Sequence, residues 1–207
     1  MGTVNIEDLV KNSRIFKQRR TGVNSKSKGK SGEYSIVNFL NKISGHNFMR
    51  TPSSGAHVGA SNRDRLLKMT KGQIDILLGD LICPENTKFR WIIECKNYKE
   101  VPIHLLLGEK QECKEISEFI NQLEHDVNSV LQLKIENRIH LSFLFLKITR
   151  KGEYIVFNKK YWFSLFKDLK INNYIQFNKK SEIPDYGNEY IITDSKMFLE
   201  NNKTLLF

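Results

Sequence analysis

Apolar positions recur along this chain with two distinct rhythms. From Ser31, the residues Tyr34, Ile36, Val37, Phe39, Leu40 and Ile43 return at steps of three and four. That spacing predicts a helix of about three turns, closed by Gly45. A second, more regular helix is predicted over 114–131. There Ile116, Phe119, Ile120, Leu123, Val127, Val130 and Leu131 share one face. Strands are predicted where compact runs rich in β-branched and aromatic residues occur: Gln73–Asp80, Lys88–Asn97, Ile139–Thr149 and, across the turn Arg150–Gly152, Glu153–Asn158. Shorter or weaker strands are expected at Asn47–Thr51, Tyr174–Phe177 and Glu189–Thr193, and an aromatic helix over 160–171. Residues 52–72, rich in Ser, Gly, Arg and Lys, read as one long loop. The mixture of helices and strands predicts an α/β domain.

Composition narrows the function classes. A chain of 207 residues with 40% hydrophobic residues and 13 Phe can bury a core and is not disordered as a whole. No apolar run approaches the ~18 residues of a membrane helix, and the first residues lack the apolar stretch of a secretory leader. Cys83, Cys95 and Cys113 are odd in number and have no CxxC spacing, which speaks against a disulfide framework and a Cys-rich zinc site. A reducing cytoplasm is the expected compartment. His46, His57, His104, His125 and His140 show no ligand spacing. Phosphate-loop and nucleophile-elbow motifs do not occur.

Charge adds a partner. The formal charge is +10, and residues 11–30 alone hold eight Lys/Arg and no acid. Residues 1–30 read as a basic arm with a short helix near Asn5–Phe16, and its leading interpretation is nucleic-acid binding.

The chemistry concentrates in WIIECKNY, Trp91–Tyr98. Side chains alternate on a strand, so Glu94 and Lys96 share a face that Cys95 does not. The preceding predicted strand carries Asp75 inside the apolar run QIDILL. An acid there is costly to bury unless it is paired or binds a metal. Two carboxylates on adjacent strands would suit a hard cation such as Mg²⁺, with Lys96 orienting a water or stabilising developing charge. An ordinary Glu94–Lys96 salt bridge is the plainer alternative.

These residues resemble the PD-(D/E)XK nucleases, and within them the Holliday-junction resolvase-like proteins of archaea and bacteriophages. The stretches that carry the resemblance are KGKSGEYSIVNFL, MRTPSSGA, QIDILL and WIIECKNYKE, with a looser match in EFINQLEHD. It covers about residues 28–158 and implies a restriction-endonuclease-like fold, with a four-stranded mixed central sheet flanked by helices. The expected organisation is a basic arm over 1–30, a nuclease core over 31–158, and a C-terminal extension over 159–207 that packs on that core and that the resemblance does not explain. Glu33, Asp75 and Glu94 would bind Mg²⁺ or Mn²⁺, with the backbone carbonyl of Cys95 as a further ligand. Lys96 would position the attacking water and Gln122 would support the site. Ser53 or Ser54 would contact the scissile phosphate. Arg19, Arg20, Lys26, Lys28, Lys30, Arg50, Arg63, Arg65, Lys68 and Lys71 would grip DNA.

The sequence departs from the family pattern: Gly55 and Asp75 stand 20 residues apart, and Ile74 rather than Pro precedes Asp75. An inserted loop over 56–72 must be accommodated, and Asp64 is an alternative to Asp75. The acids Glu112, Glu115, Glu118, Glu124 and Asp126 are assigned to a solvent face, or to the basic arm of a partner subunit. YWFSLF (161–166) reads as core, with base stacking or a dimer contact as the alternative. The implied activity is metal-dependent hydrolysis of DNA, most specifically of four-way junctions by a phage-type homodimer without a membrane partner. A restriction-like, repair or mobile-element nuclease is one alternative, and a non-catalytic DNA-binding protein of the same fold is another.

Overall fold

A computed structural model describes residues 25–52, 69–108, 112–133, 138–184 and 186–207. The elements in chain order are α1 (Ser25–Ser44), β1 (Met49–Arg50), α2 (Lys71–Leu77), β2 (Leu81–Ile82) and β3 (Arg90–Tyr98). A 3-10 turn at Ile103–Leu107 leads into α3 (Lys114–Leu133). Then come β4 (His140–Ile148), β5 (Gly152–Asn158), α4 (Lys159–Leu165), β6 (Tyr174–Asn178), β7 (Glu189–Asp194), α5 (Ser195–Asn201) and α6 (Lys203–Leu206).

The central sheet has five strands in the order β3-β4-β5-β7-β6. β3 and β4 run parallel, and the remaining pairs are antiparallel. The mixed, helix-flanked sheet is of the restriction-endonuclease-like kind, with one strand more than the four expected. The extra strand comes from the tail, where β7 pairs with β5 and β6 with β7. Residues beyond 158 therefore complete the sheet. Trp162 is fully buried and donates its indole N–H to the Ser142 carbonyl at 3.0 Å. Phe207 stacks on Trp91 of β3 at 5.1 Å. The run YWFSLF accordingly contributes to the core through Trp162 and Phe166.

The two faces of the sheet bury different helices. Ile36, Leu40, Trp91, Ile93, Phe143 and Phe145 pack on the α1 side. Ile92, Leu144, Leu146, Ile116, Ile120 and Leu123 pack on the α3 side. The alternation along β3 thus sends Cys95 toward α1, and Glu94 and Lys96 toward α3.

The segment 73–80 is not a strand. It is the helix α2 followed by a turn at Gly79–Asp80 and the two-residue β2, which pairs with β1. The local chemistry explains this. Thr70 and Gln73 form a reciprocal capping box: the Gln73 amide donates to the Thr70 hydroxyl at 3.3 Å, and the Thr70 amide donates to Gln73 Oε1 at 2.9 Å. α1 also starts earlier than expected, at Ser25, so its first turns take up the end of the basic stretch. α4 ends at Leu165 rather than 171, because Phe166 turns to an extended conformation.

One buried titratable group gives a stability prediction. His140 stacks on Tyr161 at 5.0 Å, and its Nε2 lies 2.7 Å from the Tyr186 hydroxyl. Burial pushes its pKa down to about 4. An unfolded histidine titrates near 6.5, so the unfolded chain takes up the proton first as pH falls. The stabilising contribution is complete above pH ~6.5 and drains away as pH falls toward 4. Between pH 7.5 and 4.5 this amounts to about 2.5 kcal/mol. Denaturant unfolding of the native chain and of His140→Phe at the two pH values should show that much less acid sensitivity in the variant. An equal loss in both would place the sensitivity elsewhere.

Candidate active site

The site is built at the free edge of β3. Glu94 is buried on the strand, and its Oε1 accepts from Lys96 Nζ at 2.5 Å. The same ammonium donates to Gln122 Oε1 of α3 at 2.7 Å and lies 5.5 Å from the centre of the Phe119 ring. Three contacts thus fix the lysine. Glu94 and Lys96 stand together as the strand alternation predicts, and α3 brings Gln122 to them.

The acid beside them is Asp80. Its amide donates to the Ile93 carbonyl at 2.8 Å, and its Oδ2 accepts from the Cys95 amide at 2.8 Å. Its carbonyl accepts from the Thr51 amide at 2.9 Å. Gly79 makes this approach possible. Its φ is +78°, and a Cβ there would lie 3.2 Å from the Ile93 carbonyl oxygen. Successive N–H and C=O groups on one edge of a strand come from residues i and i+2, so the carbonyl of Cys95 faces the same edge as that of Ile93.

Asp75 lies on α2, a turn of helix ahead of this point, and its side chain is outside the described residues. Asp64, Ser53, Ser54, Arg63, Arg65 and Lys68, as well as Arg19, Arg20 and the expected helix near Asn5–Phe16, also lie outside them. Lys26, Lys28 and Lys71 fall on helices without described side chains, and Lys30 is exposed on α1. Glu33, also on α1, is buried and forms an ion pair with Arg50 of β1. Arg50 is therefore engaged by an acid of the protein itself.

Electrostatics set the character of the site. Burial and then the neighbouring Asp80 push the Glu94 carboxyl up to about 8, against the pull of Lys96. Burial and then Asp80 also raise Glu33, with Arg50 acting against them. Burial would lower Lys96, but the Glu94 carboxylate and its hydrogen bond outweigh this, and the ammonium is held above its ordinary range. Asp80, Glu94 and Glu33 thus repel one another in a partly dry setting, an arrangement a cation relieves. Among the described residues, no three His, Cys, Asp or Glu groups close into a ready-made metal cage. Lys96 engages Glu94, Arg50 engages Glu33, and the Cys95 amide engages Asp80. The donors that remain at this edge are hard oxygens from Asp80, Glu94 and the Cys95 backbone. They fit Mg²⁺ or Mn²⁺ rather than a soft metal.

Sequence reasoning missed two acids here. Asp80 stands 14 residues before Glu94, directly after a glycine. Asp126 of α3, expected on a solvent face or against a partner's basic arm, instead has its Oδ2 accepting from the Gly79 amide at 3.1 Å. Glu124 was assigned to the same solvent face. It is instead 2% exposed, and four donors surround it.

A family model described as "Phage putative PDDEXK endonuclease" matches residues 24–207. The match takes in Glu33, Asp80, Glu94, Lys96 and Gln122, and it includes the whole tail from 159 on. No curated protein and no solved structure matches the chain.

Proposed function

The chain belongs to the phage PD-(D/E)XK endonuclease family, and from that premise we propose that it is a metal-dependent DNA endonuclease acting on four-way junctions. The observation that carries the hydrolytic reading is the Lys96 ammonium held between Glu94 and Gln122, with Asp80 locked to the neighbouring backbone. An isolated strand-end salt bridge would need neither the helix partner nor the second buried acid.

Asp80, Glu94 and the Cys95 carbonyl would hold Mg²⁺, with Mn²⁺ able to substitute, and Glu33 would add charge from the far side of the edge. A cation there supplies charge neutralisation at phosphate and a more acidic water. Lys96 directs its ammonium toward the attacking water or the charge that develops on the phosphoryl oxygens. Gln122 fixes the lysine so that this geometry is in place before reaction. The products of in-line attack are a phosphomonoester and a free hydroxyl.

The basic residues of 11–30 and those of the 56–72 segment would contact phosphates. Such binding weakens with salt, and each phosphate contact contributes about 0.9 to the slope of log K against log salt. Arg19→Ala with Arg20→Ala is expected to lower that slope by about 2, with little change in sequence preference. An unchanged slope would remove these arginines from the interface. Cutting both strands of a symmetric junction calls for two sites, so the active species is read as a homodimer. Light scattering on a sizing column tests this reading. The expected location is the cytoplasm of the phage's host. No helix among the described residues is long and apolar enough to cross a membrane.

The deciding experiment compares a labelled four-way junction with linear duplex of the same sequence, in Mg²⁺, in EDTA and with Glu94→Ala. Paired nicks in the junction alone, lost with EDTA and with the variant, support the proposal. Equal cutting of linear duplex keeps the nuclease and removes the junction preference. Tight binding with no cutting in Mg²⁺ or Mn²⁺ points to a DNA-binding role.

A further inference from the structure

The Gly79–Asp80 turn is held on two sides. β3 and Thr51, just after β1, take the backbone and one carboxylate oxygen of Asp80. On the opposite side Leu78 packs in the core against α3, and the Gly79 amide donates to Asp126 Oδ2 at 3.1 Å. Gly79 is buried, so no solvent route replaces this acceptor.

We propose that Asp126 is a positioning residue of the nuclease site, clamping the Gly79–Asp80 turn from α3 and so fixing Asp80 against Glu94. The helix geometry supports it. Phe119, Gln122 and Asp126 are spaced by three and four residues and therefore project from one face of α3. Phe119 and Gln122 hold the Lys96 ammonium, and Asp126 holds the turn that carries Asp80. A single helix thereby aligns the lysine and the acid, which come from different segments of chain.

The choice of a carboxylate is informative. A neutral acceptor would also satisfy the Gly79 amide, though with a weaker bond. The charge of Asp126 instead adds to the repulsion felt by Glu94. Side-chain exposure of Asp126 is only 18%, and His125 Nδ1, at 3.7 Å from its Oδ1, is the neighbouring group of opposite tendency. A carboxylate placed beside two buried acids strengthens the pull of the site on a divalent cation, beyond the mechanical role of the clamp. This inference rests on the hydrolytic reading above, so its test separates the two.

The test uses the full chain and the variants Asp126→Ala, which loses acceptor and charge, and Asp126→Asn, which keeps an acceptor oxygen. Three quantities are measured: Mn²⁺ binding by calorimetry, melting temperature, and steady-state cleavage of the DNA that the native chain cuts. Asp126→Ala is expected to bind Mn²⁺ about tenfold more weakly and to lose about 100-fold in kcat, the scale of a misplaced catalytic group, with KM for DNA within about threefold. Asp126→Asn should recover most of kcat while still binding Mn²⁺ more weakly than the native chain. A variant that melts lower but retains native kcat and Mn²⁺ affinity would overturn the proposal and leave Asp126 as a fold contact. A native chain that binds Mn²⁺ yet cuts no DNA would refute the nuclease reading instead. In that case the clamp still stands or falls on the Mn²⁺ shift. Should Asp126→Ala fail to fold, Asp126→Glu, which keeps the charge but displaces the acceptor oxygen, takes its place, and native Mn²⁺ affinity and kcat there refute the proposal.

Discussion

Asp80→Asn is expected to reduce DNA cleavage by about 10³-fold or more, whereas Asp75→Asn should stay within about threefold of the native rate. The contrast follows from placement. Asp80 is buried at the edge of β3, with its Oδ2 on the Cys95 amide, and its charge raises both Glu94 and Glu33. An asparagine keeps an oxygen for the Cys95 amide, so the turn should survive and the lost quantity is the charge. Melting of Asp80→Asn close to the native temperature would confirm that. Asp75, on α2, precedes the Gly79 turn by a full turn of helix. Single-turnover cleavage in Mg²⁺ of both variants, with Asp64→Asn beside them, separates the candidates. Full loss in Asp75→Asn or Asp64→Asn, with Asp80→Asn active, would transfer the ligand role and make Asp80 a structural acid.

This contrast marks how far the sequence could be read. Glu94 and Lys96 were legible because an apolar strand carries a two-residue alternation, and the charged pair interrupts it on one face. Gln122 was reached only through the looser family resemblance of EFINQLEHD, and α3 brings it to Lys96. The misplaced strand over 73–80 has a physical origin. In QIDILL, the apolar residues Ile74, Ile76, Leu77 and Leu78 satisfy a strand pattern and a helix pattern alike over so few positions. The capping box of Thr70 and Gln73 was the local signal that decides for helix, and the Gly79-Asp80 pair was the signal for a turn. β2, only two residues long, is too short for any periodicity to announce it. The two tail strands were found, but their pairing was not, because register between distant segments is set by packing rather than local pattern. Acids on α3 were read as a solvated face from charge alone. Glu124 shows why that fails: its partners Lys179, Ser181 and Tyr190 come from a loop and strand more than 50 residues away.

The second large effect belongs to that network. Glu124 Oε2 accepts from Lys179 Nζ at 2.8 Å and from the Glu182 amide at 3.1 Å, and Oε1 accepts from the Ser181 hydroxyl at 2.7 Å and from the Tyr190 hydroxyl. Lys179 is itself only 8% exposed at its side chain. The ion pair ties α3 to the β6–β7 connection, and removal of one partner strands the other in a dry setting. Glu124→Ala should therefore destabilise the fold by about 3–5 kcal/mol, a fall in Tm on the order of 10 °C for a chain of this size. Replacing both partners, as Glu124→Leu with Lys179→Met, should restore only part of that loss, because the unpaired charge is gone while Tyr190, Ser181 and the Glu182 amide still lack their acceptor. The pH dependence has a definite sign. Burial alone would raise the Glu124 carboxyl, but Lys179, Tyr190, Ser181 and the Glu182 amide together hold it below its ordinary value. Its contribution is thus complete above the unfolded glutamate pKa, near 4.3, and is lost as pH falls through the lower folded value. Differential scanning calorimetry between pH 7 and 3 checks both statements. Glu124→Ala should start lower than the native chain at pH 7, and the gap should narrow below about pH 4. A constant gap across that range would mean that Glu124 stabilises the fold by packing and not by its charge.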